Sequence, residues 1–386
     1  MTIKDMTSRK LARVAMSAWL AVAFIVFAPP ADAQITSADQ ETPTSAHQQY
    51  RDLINSNTVT ILGASLSGSY IKFLDDIAKA VNDGHNLRVL PIIGEGGSQN
   101  IRDILYLKGV DAGIVMSTSL DSYQDKPLFE NLQNRLQYIA RLYEEEFHII
   151  GAKDIGSVAD LAGKKVGFHG GAHVSGQELL AKLKIEPAEA IKIDFFEGLE
   201  QIKRGEISAI IRATASPMKD LNDKFDPEFH RMVSIPFEDA LIESHLPGKL
   251  THKNYPKIIP EGQTVDTAAI GVVLAVYPWQ PGTDRYRRVA KFTDALFSNV
   301  EKLLADKNRH PKWDDVNLAA KLPGWTRFPA AEEWLQKNGQ QLPTASASLQ
   351  SNFSTFLQSE AGQELNDQQK EALFREFQKW RGQSGQ

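Results

Sequence analysis

Thr58-Val59-Thr60-Ile61-Leu62, followed by Gly63-Ala64-Ser65-Leu66-Ser67-Gly68-Ser69-Tyr70, decides how this chain is read. The first five residues are β-branched or apolar and predict a strand that stops at Gly63. Beyond the small-residue loop, Tyr70, Ile71, Phe73, Leu74, Ile77, Ala78 and Val81 share one broad face of a helix that Gly84 ends. The same grammar continues. Leu87–Ile93 predicts a strand whose Pro91 suits a sheet edge, because proline cannot donate to a ladder. Gly94-Glu95-Gly96-Gly97-Ser98 then opens a helix with Ile101, Ile104, Leu105 and Leu107 inward, and Ala112–Met116 is a third strand running into Ser117-Thr118-Ser119. Strand, glycine-rich loop, helix, strand is the pattern of a parallel α/β sheet, in which ligands lie at the carboxyl ends of the strands.

The middle of the chain repeats the pattern. Leu136–Ala140 and Phe147–Gly151 read as two strands, with Glu144-Glu145-Glu146 as a solvated turn between them. Val166-Gly167-Phe168 enters a loop over His169–Gly176, a helix follows over Gln177–Leu183, and Ile191–Phe195, Leu199–Arg204 and Ser208–Ile211 read as strand, helix and strand. Residues 268–276 form a long apolar strand, and Tyr286–Leu304 is one amphipathic helix returning to the first unit. No self-similarity at solenoid periods is evident.

At 386 residues the chain has room for two cores. Its 42% hydrophobic and 24% charged residues describe a globular protein, and a net charge of −5 without a basic tract excludes nucleic acid as an expected partner. Cysteine is absent, which excludes disulfides, thiolate metal sites and a cysteine nucleophile. Lys4, Arg9, Lys10 and Arg13 precede an apolar run from Val14 to Ala28, and Ala31-Asp32-Ala33 is a small-x-small cleavage site. That run is short against the roughly 20 residues of a spanning helix. Residues 1–33 are therefore expected to be a signal peptide cleaved after Ala33, giving a periplasmic protein.

Three loops carry the candidate chemistry. Ser65, Ser67, Gly68, Ser69 and Tyr70 sit between the first strand and its helix; Gly97, Ser98, Gln99 and Asn100 repeat the device; His169, Gly171, Ala172, His173 and Ser175 repeat it again in the second unit. Small residues let the backbone approach a ligand, free helix N–H groups favour an anion, and hydroxyls add neutral donors. Each loop alone is ordinary capping chemistry, but three at equivalent positions point to one shared ligand. Ser117 and Thr118 extend the set at the end of the third strand, and Arg212 and Thr214 at the end of the later one. Arg212 reads equally as a bidentate carboxylate clamp and as a structural ion pair. His169 and His173 are four apart but lack a third ligand, so no metal is expected, and no cofactor motif occurs. No nucleophile with a base and an orienting acid is identifiable, so the chain does not read as an enzyme.

On these residues the chain resembles the solute receptors of tripartite ATP-independent periplasmic (TRAP) transporters of the TAXI type. Gly63–Tyr70 is similar to the family's glycine-rich first loop, Gly96-Gly97-Ser98-Gln99-Asn100-Ile101 to its second, and Lys108–Ser117 to its third strand. Val158–Val166 and Arg204–Ile210 resemble second-lobe segments, and the likeness covers roughly residues 57–335. Leu66 and Ser67 depart from it, standing where glycines are usual, as do the two histidines. The resemblance implies a type II periplasmic-binding-protein fold, with two α/β lobes joined by crossover strands that close over a ligand by hinge motion. The expected division is a flexible lead-in over 34–48, a first lobe over 49–147, a second over 148–267, a return over 268–340 and a helical extension over 341–386. It also implies a membrane permease as partner; the ligand itself, read from the helix starts and Arg212, is expected to be a small organic anion, and the receptor is expected to be a monomer. A ligand sensor on the same fold and a periplasmic hydrolase are the rival readings. In the extension, Phe353, Phe356, Leu357, Leu373, Phe374, Phe377 and Trp380 are expected to pack back on the body.

Overall fold

The computed structural model describes residues 45–123, 126–218, 220–242, 244–322 and 324–338, with 363, 365, 366, 368–370 and 373. The expected signal peptide and most of the lead-in lie outside these residues, as do the expected roles of Phe353, Phe356, Leu357, Phe374, Phe377 and Trp380.

Helix α1 (Ala46–Ser56) leads into β1 (Thr58–Leu62), α2 (Ser69–Val81), β2 (Arg88–Ile92), α3 (Gly97–Tyr106), β3 (Ala112–Met116) and α4 (Ser117–Tyr123). The short α5 (Leu132–Arg135) precedes β4 (Gln137–Ala152), which is 16 residues long. There follow β5 (Lys165–Phe168), α6 (Ala172–Lys182), β6 (Glu189–Lys192), α7 (Phe195–Lys203), β7 (Ala209–Thr214), α8 (Leu221–Lys224), β8 (His230–Val233) and β9 (Leu246–Thr251). The last strand, β10 (Thr264–Val276), is followed by α9 (Asp284–Ser298), α10 (Val300–Ala305) and α11 (Pro329–Asn338).

One sheet carries all ten strands in the order β2-β1-β3-β10-β4-β7-β5-β6, with β8 on β4 and β9 on β10. At one end β1 is parallel to β2 and β3; at the other β5 is parallel to β6 and β7. Each parallel trio is extended by an antiparallel strand: Val272–Val276 of β10 beside β3, and Glu146–Gly151 of β4 beside β7. The two halves therefore share a strand order, and β4 and β10 pass through both. Each half with its helices is termed a lobe below. Alternation along the strands buries both faces: Ile61, Ile114 and Leu274 join one core with Phe73 and Phe292, while Leu62, Val115 and Val273 join another with Ile101. In the second half Ile149 and Ile211 face Phe168 and Leu179, and Ile150 and Ile210 face Phe195 and Tyr255.

Several expectations change. Leu136–Ala140 and Phe147–Gly151 are not two strands but parts of β4, and Glu144, Glu145 and Glu146 are buried in its middle rather than turning in solvent. Three charges in a row read locally as a loop; in the strand, hydroxyls answer Glu145, and Lys312 and a backbone amide answer Glu146, from distant segments. Tyr286–Leu304 is two helices, broken at Asn299. α3 and α6 start earlier than the loops suggested, so Gly97–Asn100 and Ala172–Ser175 lie in first turns of helices, and Ser117 and Thr118 lie in α4. Arg212 lies within β7, not past its end. Pro91 does occupy an edge strand. In the extension, Leu365 and Leu373 are buried in the second-lobe core. Among the described residues no helix is long and apolar enough to cross a membrane.

Candidate functional site

The sheet's carboxyl ends converge on a cavity of about 430 Å³ lined by residues of both lobes. Of the residues singled out from sequence, Ser65, Gly68, Ser69, Tyr70, His169, Gly171, Arg212 and Thr214 line it. Ser67 lines an adjoining cavity of about 760 Å³, which shares Gly68, Ser69 and Thr214 with the first. The lobes touch around these spaces. A Cβ on Gly97 would sit 3.4 Å from the Gly171 Cα, so the starts of α3 and α6 abut backbone to backbone. Arg212 Nη1 donates to Ser67 Oγ at 3.3 Å, Thr214 and Ser69 hydroxyls meet at 3.4 Å, and Lys192 pairs with Glu95.

The remaining candidates stand behind the wall. Asn100 is fully buried and donates to the carbonyls of Gly63 and Ile114, at 2.7 and 2.8 Å, tying two strand ends to α3. Gln99 accepts the Glu95 N–H at 2.6 Å. Ser98 faces Tyr123, Ser117 lies against Gly271, and Thr118 is buried. Ala172 is buried, His173 stands edge-on to Phe168, and Ser175 Oγ reaches back to the Gly171 carbonyl. None of these lines the cavity.

Three of the helices that begin at the site, α2, α3 and α6, have no side-chain cap, whereas α7 is capped by Asp194 and α9 by Thr283. In α6 the Ala172, His173 and Val174 N–H groups already donate to the His169, Gly170 and Gly171 carbonyls, whereas the first turns of α2 and α3 leave N–H groups for another acceptor, and the helix dipole favours an anionic one. Arg212 is 3% exposed and lies 5.7 Å over the Phe195 ring. Among the described residues no carboxylate is within ion-pair distance of it, so the ion-pair alternative finds no partner. Burial lowers its pKa from the usual guanidinium value, opposed by the field of Glu145.

His169 accepts the Phe195 N–H at Nδ1 (3.0 Å), which leaves its proton on Nε2, 3.5 Å from Ser65 Oγ. Burial, then the Arg212 charge, pushes its pKa down to about 4, so it is a neutral donor. No group of three or more His, Cys, Asp or Glu side chains that could hold a metal ion occurs among the described residues.

Sequence reasoning missed Glu145, because its strand was read as a turn. Its carboxylate lines the cavity at 2% exposure and accepts Ser69 Oγ–H at 2.7 Å and Tyr70 O–H at 3.2 Å. Burial pushes its pKa up to about 8, against the lowering effects of Ser69, Arg212 and Tyr70. The Ser69 proton is thus directed at Glu145 while the residue lines the cavity. Alternation along a strand was the one available signal, since it sets Glu145 opposite to Glu144 and Glu146. Met116, Glu95, Lys192 and Asp194 also line the cavity and were missed too.

The chain is similar in fold to solved structures that include a periplasmic transporter (TM-score 0.43, 11% identity, 74% of this chain and 94% of that one). The ligand-binding component of an ABC-type import system from Staphylococcus aureus, with zinc bound, gives 0.40, 11%, 74% and 94%. A TctC solute-binding protein from Polaromonas gives 0.39, 14%, 73% and 88%. No curated protein matches. The model of the NMT1-like family matches residues 61–338, from β1 through α11. This chain, with two α/β lobes joined by the crossover strands β4 and β10, belongs to the NMT1-like family.

Proposed function

We propose that this chain is a periplasmic solute receptor, not an enzyme, that captures a small carboxylate-bearing anion between its lobes and delivers it to a membrane permease of the TRAP type. The observation that carries the reading is Arg212: a buried guanidinium facing a two-lobed cavity without a carboxylate partner. A buried charge left unpaired costs several kcal/mol, and a ligand carboxylate would relieve that cost. The uncapped starts of α2 and α3 and the His169 Nε2–H would add neutral donors to the same anion. Capture from both lobes closes the cleft, which is the form a permease would receive. Ser65, Gly68, Gly171 and Thr214 would touch the ligand, whereas Gly97 and Asn100 would set the backbone that does so. The TAXI-like loops and the charged, apolar and small-residue pattern over residues 1–33 support the permease type and the compartment.

Native mass spectrometry of the purified protein tests the reading directly. The expected result is a retained organic anion that is released chemically unchanged on denaturation. Recovery of a cation, or of a converted product, would contradict it.

A further inference from the structure

Arg212 and Glu145 are charges of opposite sign in one cavity wall, and among the described residues neither has an ion-pair partner. Their positions impose a condition on any ligand. An anion placed against Arg212 brings a second negative charge near Glu145, in a region shielded from water. Two carboxylates sharing such a site do not both stay ionised. A proton on Glu145 removes the conflict.

The surroundings of Glu145 favour that solution. From α2, Ser69 and Tyr70 supply neutral hydroxyls, one on each oxygen. From its own strand, Tyr143, Glu144 and Glu146 lie nearby, and Glu146 is answered by Lys312 of the 3-10 turn Pro311–Asp315 and by the Ser216 N–H. From β7 comes the field of Arg212, which would repel a ligand cation as it steadies a carboxylate. His169 and Asp194 line the same cavity from the second lobe, the first neutral and the second largely solvated. The 3.2 Å Tyr70 contact can also run in reverse, with the Glu145 acid proton donated to the phenol oxygen. Burial already holds this carboxyl well above the ordinary range.

We propose that Glu145 is a selectivity residue of this site: the cleft holds its anion with Glu145 in the neutral acid form, so anion and proton bind cooperatively. This rests on the receptor reading above. The favoured ligand then carries a net negative charge and no ammonium group. A zwitterion would bring its ammonium group beside a neutral acid and the Arg212 guanidinium, with no negative charge to meet it, and is disfavoured.

The test follows the Glu145 carboxyl carbon by NMR in protein labelled with ¹³C at glutamate side chains, the signal being assigned by its loss in Glu145→Gln. Acetate and glycine are the probes, since they differ by one ammonium group. Acetate is expected to raise the Glu145 titration midpoint, and its affinity to fall about tenfold per pH unit between the midpoint of the free protein and the raised one. Glycine is expected not to raise it. A midpoint in the ordinary carboxylate range, or one that acetate leaves unmoved, overturns the proposal. So does a midpoint that glycine lowers, which would make Glu145 a cation partner. Glu145→Gln mimics the acid form and should bind acetate with that pH dependence gone; if it does not fold, Glu145→Asp supplies the assignment. Failure of the receptor reading appears separately, as a protein that retains no solute in mass spectrometry while Glu145 still responds to acetate.

Discussion

Arg212 and Asn100 are both buried polar side chains near the cleft, and their partners separate their roles. Arg212 meets a serine hydroxyl, a methionine sulfur at 4.0 Å and an aromatic face, none of which satisfies a full charge. Arg212→Ala is therefore expected to weaken binding of the retained anion by a factor of about 30 or more in calorimetry, the scale of truncating one half of a buried charge pair. Its stability should change little or rise, because an unpaired buried charge is removed. Asn100 gives both amide protons to backbone carbonyls. Asn100→Ala leaves those carbonyls without donors and should cost about 2–3 kcal/mol in urea denaturation, with a smaller loss of affinity than Arg212→Ala. Both residues were visible in the sequence, but nothing local told a ligand contact from a wall tie. That distinction lies in which atoms come within 3.3 Å from 14 to 145 residues away.

Strands β4 and β10 explain why two lobes share a site. Their pairing shifts register between Gly271 and Val273 and again between Leu274 and Ala275, close to Glu144. Bulges of this kind bend and twist a sheet, which here lies beneath the cleft. Above it the lobes meet at Gly97 and Gly171. Gly97 has φ +53, and any side chain there points at the opposite helix start. Gly97→Val is expected to lower anion affinity roughly tenfold or more by blocking that approach, besides the ~1–2 kcal/mol of left-handed strain. Gly109→Val is the control: its φ is +98 and nothing lies within 4 Å of an added Cβ, so it should lose stability and keep affinity. Small-angle scattering with ligand present should show Gly97→Val to be more extended than the parent protein. The glycine-rich loops were legible from composition; that two of them would touch was not.

Across the molecule, buried titratable groups set a pH optimum for stability. Burial depresses His148 to about 3 and His169, His245 and His310 to about 4, so below pH 6.5 the unfolded chain takes protons that the folded one refuses. Stability therefore falls as pH drops from about 6.5 towards 4. Glu144 and Glu145, raised to about 7 and about 8, act oppositely: the folded state holds their protons, so they stabilise at acid pH and that stability is lost as pH rises towards 8. Between pH 4.5 and 6.5 four histidines outweigh two glutamates, and above 6.5 only the glutamates act. Urea unfolding is expected to show a maximum near pH 6.5; a curve rising steadily to pH 9 would contradict it. What the sequence determined by itself was the alternation of strands, small-residue loops and helices, because periodicity and glycine placement act within a few residues. Tertiary structure alone decided that β4 runs unbroken through three glutamates, and that Glu145 and Arg212 share one cavity wall. Burial of charge depends on partners distant in the chain, and no local pattern records who those partners are.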